Sequence, residues 1–180
     1  MDLQDFEGQD MYFNEPLPAK VAELIEQAAE AYGEGEAEKP LLRAFFLEPE
    51  HFMVHVALYR FYYYQHRYSD ALFIADKAMQ VAGKALNLPE DWRELDKGYL
   101  GEASLKSMGM LRFYLLALKG AGYLNLRLNK INEAIEILSK LVALDEKNRL
   151  GASMLLDIAR DRVIDDIAEQ SDNVVRLSRF

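Results

Sequence analysis

The 180-residue chain contains no cysteine, which excludes disulfide staples, thiolate metal sites and cysteine nucleophiles together. Only three histidines are present, His51, His55 and His66, and a single tryptophan, Trp92. No long apolar run occurs. The longest, Met110 to Leu126, is interrupted by Arg112 and Lys119 and falls short of the ~20 residues that a membrane span needs. Cations are scarce beside acids, 21 against 30, for a formal net charge of −9. Such a surface repels phosphate backbones, so nucleic acid is not the expected partner. Met1 to Asp10 is acidic and lacks the basic-then-apolar pattern of a secretory signal. The expected address is therefore cytoplasmic, with no membrane association. The phosphate-cradling Gly-x-x-x-x-Gly-Lys-Ser/Thr, a dinucleotide Gly-x-Gly-x-x-Gly after a strand, and the Gly-x-Ser-x-Gly elbow are all missing. No catalytic residues, no cofactor and no enzymatic activity are expected.

What the chain has is apolar content, 51% of residues, which is enough for a core and excludes wholesale disorder. Five prolines, at 16, 18, 40, 49 and 89, punctuate long intervals of helical period. From Asn129 to Asp145, Ile131, Ala134, Ile135, Leu138, Leu141 and Val142 share one helix face, and Glu133, Glu136 and Lys140 take the other. A helix over roughly 104–127 pairs with it across Leu128-Asn129-Lys130, where asparagine tolerates a left-handed backbone. Upstream, a helix over 52–65 pairs with one opening at Tyr68, and 18–32 pairs with 37–47 across Gly33 and Gly35. Pro89, Glu90 and Asp91 open a short helix through Trp92 and Leu95, which Gly98 and Gly101 are expected to break. The stretch 150–170 forms one more helix, with Ala152, Leu155, Leu156, Ala159, Val163 and Ile167 on its inner face.

The pairs recur. Ala37 and Ala71 stand 34 residues apart, as do Ala44 and Ala78, and Pro49 closes the first unit. With LKGAGYLNLRLNKINEAIEILSKLVALDEKN at 118–148, where Gly122 takes the first-helix glycine place, this pattern resembles the tetratricopeptide repeat of small bacterial proteins. The resemblance implies an all-α chain: an α-α superhelix of about three helix pairs, over 18–50, 52–85 and 115–148. An insertion at 86–114 precedes the third pair, and 150–170 caps the stack within a domain spanning 18–170. Residues 1–17 and 171–180 are expected to be tails.

The resemblance also implies a concave groove lined by first helices, holding a peptide segment of another protein. By that phasing Met53, Val56, Arg60, Tyr63 and Tyr64 face the groove from the second unit. Leu116, Lys119, Tyr123, Leu126 and Arg127 face it from the third, and Ala19, Ala22, Glu26, Ala29 and Glu30 from the first. Tyr59 and Tyr62 are expected to face the helix that begins at Ala71. Tyrosines beside Arg60, Lys119 and Arg127 suit a ligand with acidic and apolar side chains. The carboxylate clamp of the family's chaperone-tail binders is absent, since Ala22, Glu26, Ala57, Leu116 and Gly120 occupy its places. Trp92 is expected to pack the insertion onto the stack, with a partner anchor as the other possibility.

The expected function is that of an adaptor or assembly factor. A secretion-type chaperone with an extended client is a second reading on the same scaffold. LEPEHFMVHVALYRFYYYQHR at 47–67 also resembles repeat proteins linked with bacterial nitrogen fixation. The rival from another class is a metal protein or enzyme at His51 and His55, four residues apart on one helix face. Without a second acidic-histidine motif their first shell is incomplete, so no metal is expected. His51 then lies exposed near the turn and His55 packs inside its helix. Gly120 and Gly122 are expected to allow close helix packing.

Overall fold

The computed structural model describes the backbone of residues 16–177 and the side chains of 16–32 and 35–165. The tail at 1–15 and the last three residues of the tail at 171–180 lie outside the described residues. The described chain is all-α. Its helices are α1 Ala19–Glu30, α2 Glu38–Leu47, α3 Phe52–Tyr64, α4 Tyr68–Leu86, α5 Lys97–Lys106, α6 Met108–Arg127, α7 Ile131–Leu144 and α8 Ala152–Leu177. Short 3-10 turns at Ala31–Glu34 and Trp92–Glu94 complete the helical structure.

Each turn has a residue that solves its geometry. Gly35 takes a left-handed backbone between α1 and α2 at φ 75°. Asn129 does so between α6 and α7 at φ 59°, and the Lys130 N–H donates to the Asn125 carbonyl at 2.8 Å. His66 fills the same role between α3 and α4 at φ 58°. The helices then fold back on their sequence neighbours: α1 on α2, α2 on α3, α3 on α4, α6 on α7 and α7 on α8. The exception positions the candidate site. α4 packs directly on α6, and α5 touches the body through α6. The insertion therefore loops outward and leaves the second and third pairs in contact.

Small residues set the helix crossings. Ala37, Ala44, Ala71, Ala78 and Ala134 are all buried. A Cβ on Gly122 would sit 2.9 Å from Leu138 Cδ2 and 3.2 Å from Ile137 Cγ2, so the glycine brings α6 and α7 together. A Cβ on Gly120 would sit 2.9 Å from the Tyr59 hydroxyl oxygen, so this glycine admits Tyr59 of α3 against α6. The two glycines thus serve close packing. Tyr59, expected to face α4, meets α6 because Gly120 leaves room for its hydroxyl there. Leu58, Phe113, Leu118, Leu124, Leu138 and Leu141 fill the interior around these crossings.

Two expected boundaries move. Gly98 and Gly101 do not break the insertion, and both lie inside α5. The break falls at Ser107, whose Oγ accepts from the Met110 N–H at 3.2 Å and caps α6. Asp96 caps α5 in the same way, accepting from the Tyr99 N–H at 2.9 Å. The capping helix α8 continues to Leu177, past the expected end at Gln170.

Candidate partner-binding surface

The aromatic run on α3 distributes its rings around the helix. Tyr62 is buried, with its hydroxyl donating to Glu38 Oε1 of α2 at 3.1 Å and the Arg67 guanidinium 4.5 Å above its ring. Burial, with that acceptor, pushes the Tyr62 hydroxyl up to about 12. Arg67 donates to Glu38 at 2.7 Å and holds its carboxyl below the usual range. Tyr62 is therefore structural and ties α3 to α2.

Tyr63 points toward the third pair. Its hydroxyl donates to that of Tyr123 on α6 at 3.3 Å, across 60 residues of sequence, and the ring centroids are 6.0 Å apart. Arg127 donates from Nη1 to the Tyr123 hydroxyl at 3.0 Å and lies 4.5 Å over the ring of Tyr68. Tyr68 closes the group, 6.1 Å from Tyr63, with its hydroxyl 2.8 Å from His66 Nδ1. Three of the residues assigned to the groove, Tyr63, Tyr123 and Arg127, thus share one surface cluster. Tyr68 and His66 join it, and neither was among the assigned residues. The signal for Tyr68 was its place at the end of the aromatic run; His66 carried none.

Tyr64 and Arg60 face another way. Both are exposed, and they rim an apolar cavity of about 830 Å³ whose lining includes Ile25, Tyr32, Leu41, Ala57 and Phe61. Tyr32 stands edge-on to Phe61 at 6.0 Å across it. The Tyr63 and Tyr64 rings meet edge-to-face at 5.6 Å, which joins the cavity to the tyrosine-arginine cluster along α3. Of the remaining assigned residues, Ala19, Glu26, Ala29 and Glu30 are exposed on α1, Ala22 is half-buried, and Leu116 and Leu126 are buried in α6. Val56 and Lys119 are buried, and Met53 is half-buried.

Trp92 is half-buried in the insertion, beneath the Arg93 guanidinium at 4.4 Å. It lines a separate cavity of about 780 Å³ with Met79, Gly83 and Tyr114. Arg93 holds the insertion to α7 by a two-point contact with Glu136, at 2.6 and 2.8 Å. The Lys140 ammonium donates to the Arg93 carbonyl at 2.6 Å, and Lys97 pairs with Glu146.

The histidine pair has another use. His51 is buried rather than exposed, because its Nδ1 accepts from the Met53 N–H at 3.2 Å and so caps α3. His55 is buried edge-to-face against Phe45 at 5.8 Å. Neither His55 ring nitrogen reaches a partner within hydrogen-bonding geometry, although the Pro49 carbonyl holds its pKa up somewhat. Burial dominates and takes that pKa down to about 4. Among the described residues no three His, Asp or Glu side chains converge as metal ligands do, and no helix is long and apolar enough to cross a membrane.

No family model matches the chain, and no solved structure matches it. The "Uncharacterized 19.8 kDa protein in nifW 5′ region" of Azotobacter chroococcum mcd 1 is 53% identical over 158 residues, which cover 88% of each protein.

Proposed function

The chain belongs to the same family as this Azotobacter chroococcum protein, and on that premise we propose that it is a cytoplasmic protein-binding module of tetratricopeptide type. It holds a segment of a partner protein along α1, α3 and α6. The observation that carries this reading is the open apolar cavity between α1, α2 and α3, with Arg60 and Tyr64 at its rim. A large apolar side chain of the partner enters beside Ile25 and Phe61, and an adjacent carboxylate meets Arg60. Tyrosine offers contact area at low entropic cost, and arginine pairs with carboxylates in two-point geometry. The buried small residues at each crossing, repeating at 34 residues in the first two pairs, support the repeat assignment. The module acts as an adaptor or assembly factor and carries out no chemistry of its own.

The relative's place in a nifW 5′ region, and the resemblance of 47–67 to repeat proteins linked with nitrogen fixation, support seeking the partner among proteins made under nitrogen-fixing conditions. The test puts a photo-reactive phenylalanine analogue in place of Tyr64 and irradiates cells grown in that state. A discrete cross-linked protein is expected, and it should vanish when Arg60→Glu is added to an equally stable chain. No adduct, or one indifferent to Arg60→Glu, overturns the assignment of this surface.

A further inference from the structure

Two helix faces, one on α2 and one on α8, have no partner among the described residues, and their chemistries are opposite. α2 closes the first pair. Its outer stripe is Lys39, Leu42, Arg43, Phe46 and Leu47, spaced at three and four residues so that all share one side. Phe46 is 86% exposed, Leu47 50% and Leu42 45%. These side chains, with Lys20 and Arg43, border a depression of about 520 Å³ between α1 and α2. Lys39 and Lys20 each pair with a glutamate of their own face, whereas Arg43 forms no ion pair among the described residues. The stripe is therefore apolar with an excess cation.

α8 closes the last pair. It packs on α7, buries Ala152, Leu156 and Ala159, and turns the opposite stripe outward. That stripe is Met154, Ile158, Asp161 and Asp165, with Ile164 and Asp157 beside it. Met154 is 66% exposed, Ile164 63% and Ile158 42%. Arg162 is turned back to donate to the Leu126 carbonyl at 3.1 Å, which leaves exposed Arg160 as the cation beside Asp157, Asp161 and Asp165. This stripe is apolar with excess acid. Contiguous exposed apolar side chains rimmed by charge mark association sites. The terminal helix of a repeat array needs a polar outer face, and here three exposed apolar side chains interrupt each of these faces.

We propose that the chain associates head to tail with a second copy of itself, the outer face of α2 in one copy docking on the outer face of α8 in the next. Charge decides the pairing. A two-fold contact would set cation on cation at α2, or acid on acid at α8, whereas the heterologous contact sets Arg43 against Asp161 and Asp165. Ile158 and Ile164 then enter the depression between α1 and α2. The surface around Arg60 and Tyr64 stays open in each copy, so assembly multiplies partner sites along an array.

Sedimentation of the full chain from micromolar to sub-millimolar concentration tests this. The average mass should rise with concentration and fall back as salt is added. Phe46→Glu and Ile158→Glu should each be monomeric with unchanged circular dichroism, since both positions are exposed. Mixed in equal amounts, the two variants should form a one-to-one dimer and nothing larger, because each keeps one intact face. Arg43→Glu, a milder change, should weaken association at least about tenfold. A parent chain monomeric throughout, variants that assemble like the parent, or a mixture that stays monomeric would each overturn the proposal.

Discussion

His55 shows how one buried side chain sets a property of the whole chain. An unfolded histidine binds its proton near its ordinary pKa of about 6.5, whereas burial lowers that of the folded His55 to about 4. The unfolded state holds more protons between these values, so stability is full above the upper one, falls as pH drops through the window and levels off below. The total is ~3 kcal/mol. Of the groups facing the ring, the Pro49 carbonyl opposes this shift, while His51 and Lys77 add to it by disfavouring the ring's charge. Glu38, held low by Arg67, loses its contribution only further down, below its ordinary value. Urea unfolding of His55→Leu should therefore give a flat stability profile from pH 6.5 to 4.5 where the parent slopes. Parallel profiles would mean that another group titrates. The sequence placed His55 inside its helix correctly but left His51 exposed. What no spacing reveals is that the free Met53 N–H at a helix start recruits the His51 ring.

Helices and their crossings were the most legible level, because a 34-residue spacing of alanines by itself constrains which faces meet. The glycines were harder, since one residue type serves two ends. Gly101 in α5 would meet nothing within 4 Å on gaining a Cβ, whereas Gly122 in α6 would meet Leu138 at 2.9 Å. Gly101→Ala should thus stabilise by ~0.5–1 kcal/mol through the unfolded chain and helix propensity. Gly122→Ala gains a similar propensity term of ~1 kcal/mol but overpacks the α6–α7 crossing at ~1–3 kcal/mol, and the loss wins. Thermal unfolding of the two variants should move the midpoint in opposite directions; a shared direction would contradict the packing assigned to Gly122. The same contrast explains the displaced break in the insertion. Each of the two glycines in α5 costs at most ~1 kcal/mol, and the Asp96 cap at the start of the helix offsets about one of them. Phase anticipated that Tyr63, Tyr123 and Arg127 come together. Phase could not reveal the burial of Lys119 and Val56, which depends on what packs above them.

The whole molecule is a succession of helices whose contacts run mainly between sequence neighbours, with α4 on α6 as the join across the insertion. Stability in such an array is distributed by position, because a terminal pair has one neighbour and an internal pair has two. α1 packs on α2, and α2 reaches the rest through α3. Most of the large fully buried side chains, Tyr59, Phe113, Leu118, Leu124, Leu138 and Leu141 among them, belong to α3, α6 and α7, whereas α1 contributes Val21 and the insertion Leu95. Amide hydrogen exchange in native buffer should therefore release α1 and α2 by local opening, well before α6 and α7, which should exchange only with global unfolding. The tyrosine cluster lies at the surface where α3, α4 and the end of α6 meet, so Tyr63→Phe, which removes one hydroxyl, should leave this order unchanged. Head-to-tail association adds a second test. Covering the outer face of α2 gives the first pair a second neighbour, so its exchange should slow as concentration rises in the parent and stay fast in Phe46→Glu. Uniform exchange of all helices at the global rate would refute the positional gradient, and concentration-independent exchange of α2 would refute its coverage.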